Sequence, residues 1–152
     1  LMSINAGTVV LLQFWVTRRL ERFKPLAMMA VGSFLYAIGF AMYGFVSGMA
    51  LFITAMVIIT IGEMVVSPFP QALVASFAPE EMRGRYMAVS GMTWGIAFMI
   101  GPYFAGLLLD SPNPNMLWYI SGIIGLLATV GFIGLNKVHK ADVPLGEPAA
   151  TD

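Results

Sequence analysis

The sequence contains no cysteine, which excludes disulfides, thiol nucleophiles and cysteine-based metal sites. Charge is nearly as scarce, at 11% of residues against about 25% in an ordinary soluble domain. A glycine-rich phosphate loop, a cluster of metal ligands and a nucleophile with a matching base are all missing. Ser111-Pro112-Asn113 and Ser67-Pro68-Phe69 have no second catalytic group beside them, so the chain does not read as an enzyme. No metal, cofactor or nucleic-acid partner is expected. The first apolar stretch also lacks the basic flank and small-residue cleavage site of a signal peptide.

What remains is oil, with apolar residues making up 59% of the chain. Four windows, Leu26–Val46, Met49–Phe77, Tyr86–Leu109 and Met116–Leu135, are long and almost uncharged. Each meets the requirement of ~20 apolar residues for a membrane-spanning helix. They are apolar on all sides, whereas a soluble helix of that length needs a polar face. A fifth stretch, Ile4–Thr17, is shorter than the usual ~17 to 25 residues. It reads as the inner end of a helix whose beginning precedes the chain. The fold class is therefore an all-α membrane protein of five transmembrane helices, the first truncated. Residues 1–140 form the bundle and 141–152 a tail. That tail is rich in Pro, Ala, Asp and Glu with no apolar period, and is expected to be disordered and cytoplasmic.

Basic residues sit in alternate connections only. Arg18, Arg19, Arg22 and Lys24 follow the first span, Arg83 and Arg85 the third, and Lys137 and Lys140 the fifth. The connections Ser47-Gly48 and Asp110 to Asn115 contain no Lys or Arg. By the positive-inside rule the basic loops and the C-terminus are cytoplasmic. Trp118 and Tyr119 then fall at the outer mouth of the last span, a favoured place for aromatic rings. His139, between Lys137 and Lys140, reads as a solvated juxtamembrane side chain.

Glu63 is the one charged residue inside a long apolar stretch. A carboxylate near the bilayer centre costs at least ~2.5 kcal/mol on the mildest insertion scales. Its span, Met49–Phe77, would run roughly 43 Å as a straight helix against a hydrocarbon core of ~30 Å. Pro68 and Pro70 each remove a backbone donor and favour a kink. Thr60, Glu63, Ser67 and Gln71 fall at helical spacing, a polar stripe that must face a neighbouring helix or a water-filled cavity. Two readings stay open. Glu63 is a protonated packing residue bonded to a neighbouring helix, or it lines a cavity and exchanges protons with solvent. No Lys or Arg within the spans can neutralise it.

The next span carries Gly91, Gly95, Gly101 and Gly106, small residues that allow close helix packing. Pro102 adds a hinge candidate. Trp94 and Phe98, one turn apart, form either core or an aromatic wall for a lipophilic ligand. Ahead of it, Pro79 suits a first helical position and Glu80 and Glu81 a first turn. Arg18, Arg19, Arg22, Arg83 and Arg85 anchor topology or take part in ion pairs that open and close at the cytoplasmic face. The 12 methionines suit adaptable apolar surfaces and lipid-facing helices equally.

Three segments carry a family resemblance. Gln13-Phe14-Trp15-Val16-Thr17-Arg18-Arg19-Leu20-Glu21-Arg22 resembles the second-half copy of the basic loop signature of the major facilitator superfamily. Gly62-Glu63, with Ser67-Pro68 and the loop Ala78 to Tyr86, resembles helix ten and its following loop. Gly101-Pro102-Tyr103-Phe104-Ala105-Gly106 resembles the antiporter motif of the family's drug:proton antiporters, in its helix-eleven copy. The basic loop lacks the Asp and Gly of the first-half signature, and Ala105 stands where that motif has Gly. Both departures favour the C-terminal half.

The resemblance implies helices eight to twelve of a twelve-helix fold whose substrate binds near the midplane between two halves. Helices ten and eleven would line the cavity, with nine and twelve outside. The N-terminal half would be a partner, with lipid, protons and a small-molecule substrate as the others. It also implies proton-coupled efflux of lipophilic or cationic drugs across a bacterial inner membrane, with Glu63 as the proton-coupling group. Thr60, Ser67, Gln71, Trp94 and Phe98 become cavity candidates. Symport of sugars, peptides or organic acids is the alternative within transport. A non-transporting scaffold subunit is the alternative outside it.

Overall fold

A computed structural model describes residues 13–20 and 22–138. Most of the first predicted span, together with Glu21, His139, Lys140 and the tail, lies outside the described residues. The described part is helical throughout its elements. Helix α1 covers residues 13–20, followed by α2 (Pro25–Tyr43), α3 (Met49–Val66) and α4 (Phe69–Phe77). A 3-10 turn (Glu80–Met82) leads into α5 (Arg83–Leu109), and α6 (Met116–Val138) closes the set. Among the described residues, four helical stretches are long and apolar enough to cross a membrane, with α3 and α4 together making one of them.

Helix α2 is the core element. Pro25 opens it at the first helical position, where a missing N–H costs nothing. Leu26, Met29, Ala30 and Ala37 are buried along it, packed between α3 on one side and α6 on the other. Lipid is as apolar as these side chains, so close van der Waals fit rather than water exclusion holds such helices together. Glycines supply that fit. A Cβ at Gly32 would lie 3.1 Å from the Gly62 carbonyl oxygen, and one at Gly62 would lie 3.1 Å from that of Gly32. Gly39 faces Ala55 and Ile59, Gly122 faces Ala37 and Ala41, and Gly125 lies against Ala37. These pairings make α2 antiparallel to both α3 and α6.

The antiparallel order collects the start of α2 and the ends of α3 and α6 at one end of the bundle, with Lys24 and Lys137. The other end is aromatic. Tyr43 lies 4.8 Å from Phe52 and meets Trp118 edge-on at 5.0 Å, centroid to centroid. Phe45 lies 5.0 Å from Tyr119, whose hydroxyl donates to the Gly44 carbonyl at 2.9 Å. That bond satisfies a carbonyl just past the end of α2, where intrahelical partners run out. Trp118 and Tyr119 thus pin the ends of two helices together.

Helix α5 stands apart, touching α4, α6 and the 3-10 turn only lightly, and none of its residues is buried. A Cβ at Gly91, Gly95, Gly101 or Gly106 would meet open space. Among the described residues no packing runs through these four glycines; the glycines that bring helices together lie on α2, α3 and α6. The break expected near proline occurs at Pro68, where α3 gives way to α4. Pro102 does not interrupt α5. Pro79 sits one place before the first helical position, as the cap of the 3-10 turn. Its carbonyl accepts from the Met82 amide at 2.9 Å.

Candidate functional site

Glu63 lies on the last turn of α3, three residues before the helix ends at Val66. Its carbonyl still accepts from the Ser67 amide at 2.9 Å, so the ladder holds up to Pro68 and fails there. Pro68 has no N–H to give and caps α4 instead, with Pro70 in that helix's first turn. The long span is thus two helices joined at residues 67 and 68, with Glu63 one turn before the joint.

The polar stripe is not uniform. Glu63, Ser67 and Gln71 are exposed on the surface of the bundle. Thr60 is only 3% exposed, and its hydroxyl donates to the Met56 carbonyl at 2.9 Å. The stripe therefore runs from a buried root at Thr60 to an open face at Gln71. A helical advance of three residues turns a side chain by roughly 60° short of a full circle. That turn separates inward Thr60 from outward Glu63.

Two polar neighbours complete the surroundings, and neither belongs to the stripe. Gln13 on α1 donates to the Met64 carbonyl at 3.4 Å and to the Thr17 hydroxyl at 3.1 Å, which ties α1 to the Glu63 turn. Tyr36 on α2 lies beside the Glu63 turn, its backbone amide nitrogen 3.4 Å from where a Cβ at Gly62 would stand. Its ring stacks on Phe40, with centroids 5.9 Å apart and planes 10° from parallel. A tyrosine midway along a span, rather than at its interface, was the available sequence signal.

On α5, Trp94 and Phe98 stack with centroids 5.9 Å apart and both rings are exposed. They form one aromatic surface, on a helix distinct from the one that carries Glu63. Arg18 lies over the Phe14 ring at 5.7 Å and Arg19 over the Trp15 ring at 5.2 Å. Such cation–π contacts hold the guanidinium groups beside α1. Arg22, Arg83 and Arg85 are exposed. A separate apolar groove of about 360 Å³ lies between α2 and α6, near the aromatic end. Ala37, Ala41, Phe45, Tyr119 and Leu126 line it, with no charged side chain in its wall.

Long apolar helices that pack through glycine, a span broken one turn past a lone carboxyl, and a basic end opposite an aromatic end describe a membrane-spanning helical bundle. The sequence matches the Major Facilitator Superfamily over residues 1–150. The chain belongs to the major facilitator superfamily. It is 32% identical to the uncharacterized MFS-type transporter YdeE of Escherichia coli, over 97% of this chain and 36% of that protein. It is 28% identical to a Na(+), Li(+), K(+)/H(+) antiporter of Planococcus maritimus, over 93% of this chain and 33% of that protein. It is 27% identical to the multidrug efflux pump SdrM of Staphylococcus aureus, over 84% of this chain and 31% of that protein. The chain spans about a third of the length of these relatives. No solved structure matches it. As a member of this superfamily with four span-length apolar helices among the described residues, the chain is a multi-pass membrane protein.

Proposed function

We propose that this chain forms the C-terminal part of a twelve-helix, proton-coupled exporter of lipophilic or cationic compounds, with Glu63 as the proton-coupling group. One observation carries the reading. Glu63 is a carboxyl on a membrane helix with no basic residue in the spans, and it faces outward one turn before a helix break. A group that costly persists where it serves ions, protons or polar solutes. Ser67 and Gln71 extend an exposed polar path from it across the break. Trp94 and Phe98 offer stacked rings for an apolar or cationic substrate, since ring faces attract cations. The relative named as a multidrug efflux pump supports export of drugs, and the one named as a Na(+), Li(+), K(+)/H(+) antiporter supports exchange against protons.

The N-terminal half of the transporter would supply the other cavity wall. The basic loops and the C-terminus would lie in the cytoplasm. Arg18, Arg19, Arg22, Arg83 and Arg85 would hold that topology.

The deciding experiment replaces Glu63 by Gln in the whole transporter, reconstituted in vesicles with an imposed proton gradient. Glu63→Gln is expected to abolish gradient-driven efflux of a fluorescent lipophilic cation while leaving thermal unfolding unchanged. Efflux at the parental rate would end the proposal. Proton release on adding sodium instead of drug would favour the cation antiport shown by the Planococcus relative's name.

A further inference from the structure

We propose that the groove between α2 and α6 seats one acyl chain of a phospholipid whose headgroup carries an ammonium, in the leaflet at the aromatic end of the bundle. The proposal depends neither on Glu63 nor on what is transported.

Small residues make the floor of the groove. A Cβ at Gly122 would lie 3.2 Å from the Ala41 Cβ and 3.3 Å from the Ala37 carbonyl oxygen, so the two helices come close there. Ile38, Ile123 and Leu126 supply the larger walls. The inner end is shut where Gly125 lies against Ala37, since a Cβ there would meet the Ala37 Cβ at 2.9 Å. The outer end opens between Phe45 and Tyr119. That mouth is fixed in place. The Tyr119 ring rests on Gly44, and its hydroxyl donates to the Gly44 carbonyl at 2.9 Å.

Length and polarity select the occupant. From Phe45 to Ala37 the groove follows just over two helical turns, roughly 12 Å, against the ~15 Å of hydrocarbon in one leaflet. A neighbouring transmembrane helix would run on through the whole span. An acyl chain starts at the interface and ends near the midplane, as this groove does. The volume of about 360 Å³ is that of a small ligand site, but such sites carry a few polar groups that orient their ligand. No charged side chain lines this wall, and the Tyr119 hydroxyl is already engaged with Gly44. A polar occupant would lose its hydrogen bonds there, whereas a run of methylenes has none to lose.

Charge selects the headgroup. The connections at this end, residues 44–48 and 110–115, contain no Lys or Arg, and Asp110 is their only charged residue. An anionic headgroup finds no counter-charge in them. An ammonium is favoured both by Asp110 and by the face of Phe45, which is 73% exposed.

Native mass spectrometry of the whole transporter tests this, with palmitoyl-oleoyl phosphatidylethanolamine and the phosphatidylglycerol of the same chains supplied in equal amounts. The protein is expected to retain one phosphatidylethanolamine on release from detergent. Leu126→Trp, which fills the groove from its rim, should lose that lipid. Leu127→Trp, on the same helix but outside the groove wall, should keep it. Both positions are exposed, so the two variants should melt together in lipid-free detergent. Ile123→Trp, from the same rim as Leu126, repeats the test should Leu126→Trp fail to fold. Retention of phosphatidylglycerol in equal or greater amount would overturn the choice of headgroup. Lipid retained in full by the groove-filled variants would overturn the site. A parent that retains no lipid, or a second copy of the chain in its place, would overturn the proposal outright.

Discussion

A methyl group placed on Gly125 would land 2.9 Å from the Ala37 Cβ and 3.0 Å from its Cα. Backbone cannot step aside as a flexible side-chain tip can, so α2 and α6 would have to separate. Nine residues on, a methyl at Gly134 would meet nothing within 4 Å. The same substitution on the same helix should therefore change sign. Gly125→Ala is expected to destabilise the bundle by about 1 to 3 kcal/mol. Gly134→Ala should be neutral, or stabilise by up to ~1 kcal/mol through helix propensity. Thermal unfolding of the two variants in the same detergent checks this, and equal shifts would contradict the packing described here. The contrast also explains a limit of the sequence. The small-residue spacing of Gly91, Gly95, Gly101 and Gly106 is visible along one helix, yet α5 presents those glycines to open space. The contacts that hold the bundle set a single glycine of one helix against the backbone or a side chain of another. Pairing of that kind is a tertiary fact, and no local pattern carries it.

Among the elements, the division of the long span into α3 and α4 was the most legible, because its cause is local. Two prolines within three residues remove two donors, and the span is too long to cross the membrane straight. Pro102 is the same residue type with a different outcome, since α5 runs through it. A single missing donor can be absorbed in a long helix, whereas Pro68 with Pro70 leaves two adjacent gaps in the ladder. Replacing both prolines by alanine should restore one continuous helix. Spin labels at Thr54 and Ser76 would then be separated by roughly 33 Å along a straight axis. The parent, bent at residues 67 and 68, should show a shorter distance. If Glu63, Ser67 and Gln71 form a path that the break opens, the straightened variant should also transport more slowly at unchanged substrate affinity. An unchanged label distance would show that the prolines are not what divides the span.

At the scale of the whole molecule, charge and aromatic rings mark opposite ends of the bundle. The antiparallel register brings Lys24 and Lys137 to one end. The Tyr43, Phe45, Trp118 and Tyr119 cluster closes the other. The alternation of basic and neutral connections is legible in the sequence because topology is set by charge counts rather than by contacts. Which end faces the cytoplasm is a separate question with a direct answer, since this chain contains no cysteine to compete with an introduced one. A single cysteine at Ser111, in the neutral connection between α5 and α6, should react with a membrane-impermeant maleimide in intact cells. A cysteine at Glu80, beside Arg83 and Arg85, should react only after the membrane is made permeable. The ratio of labelling before and after permeabilisation gives the orientation of the bundle without reference to transport. If Ser111→Cys is protected and Glu80→Cys is labelled in intact cells, the bundle is inverted. Glu63, three residues from the end of α3, would then sit nearer the outer face, and its proton would exchange with the external medium when the cavity is open outward. With the predicted labelling, Glu63 lies in the cytoplasmic half of the span, where an exporter must take up its substrate and release its proton.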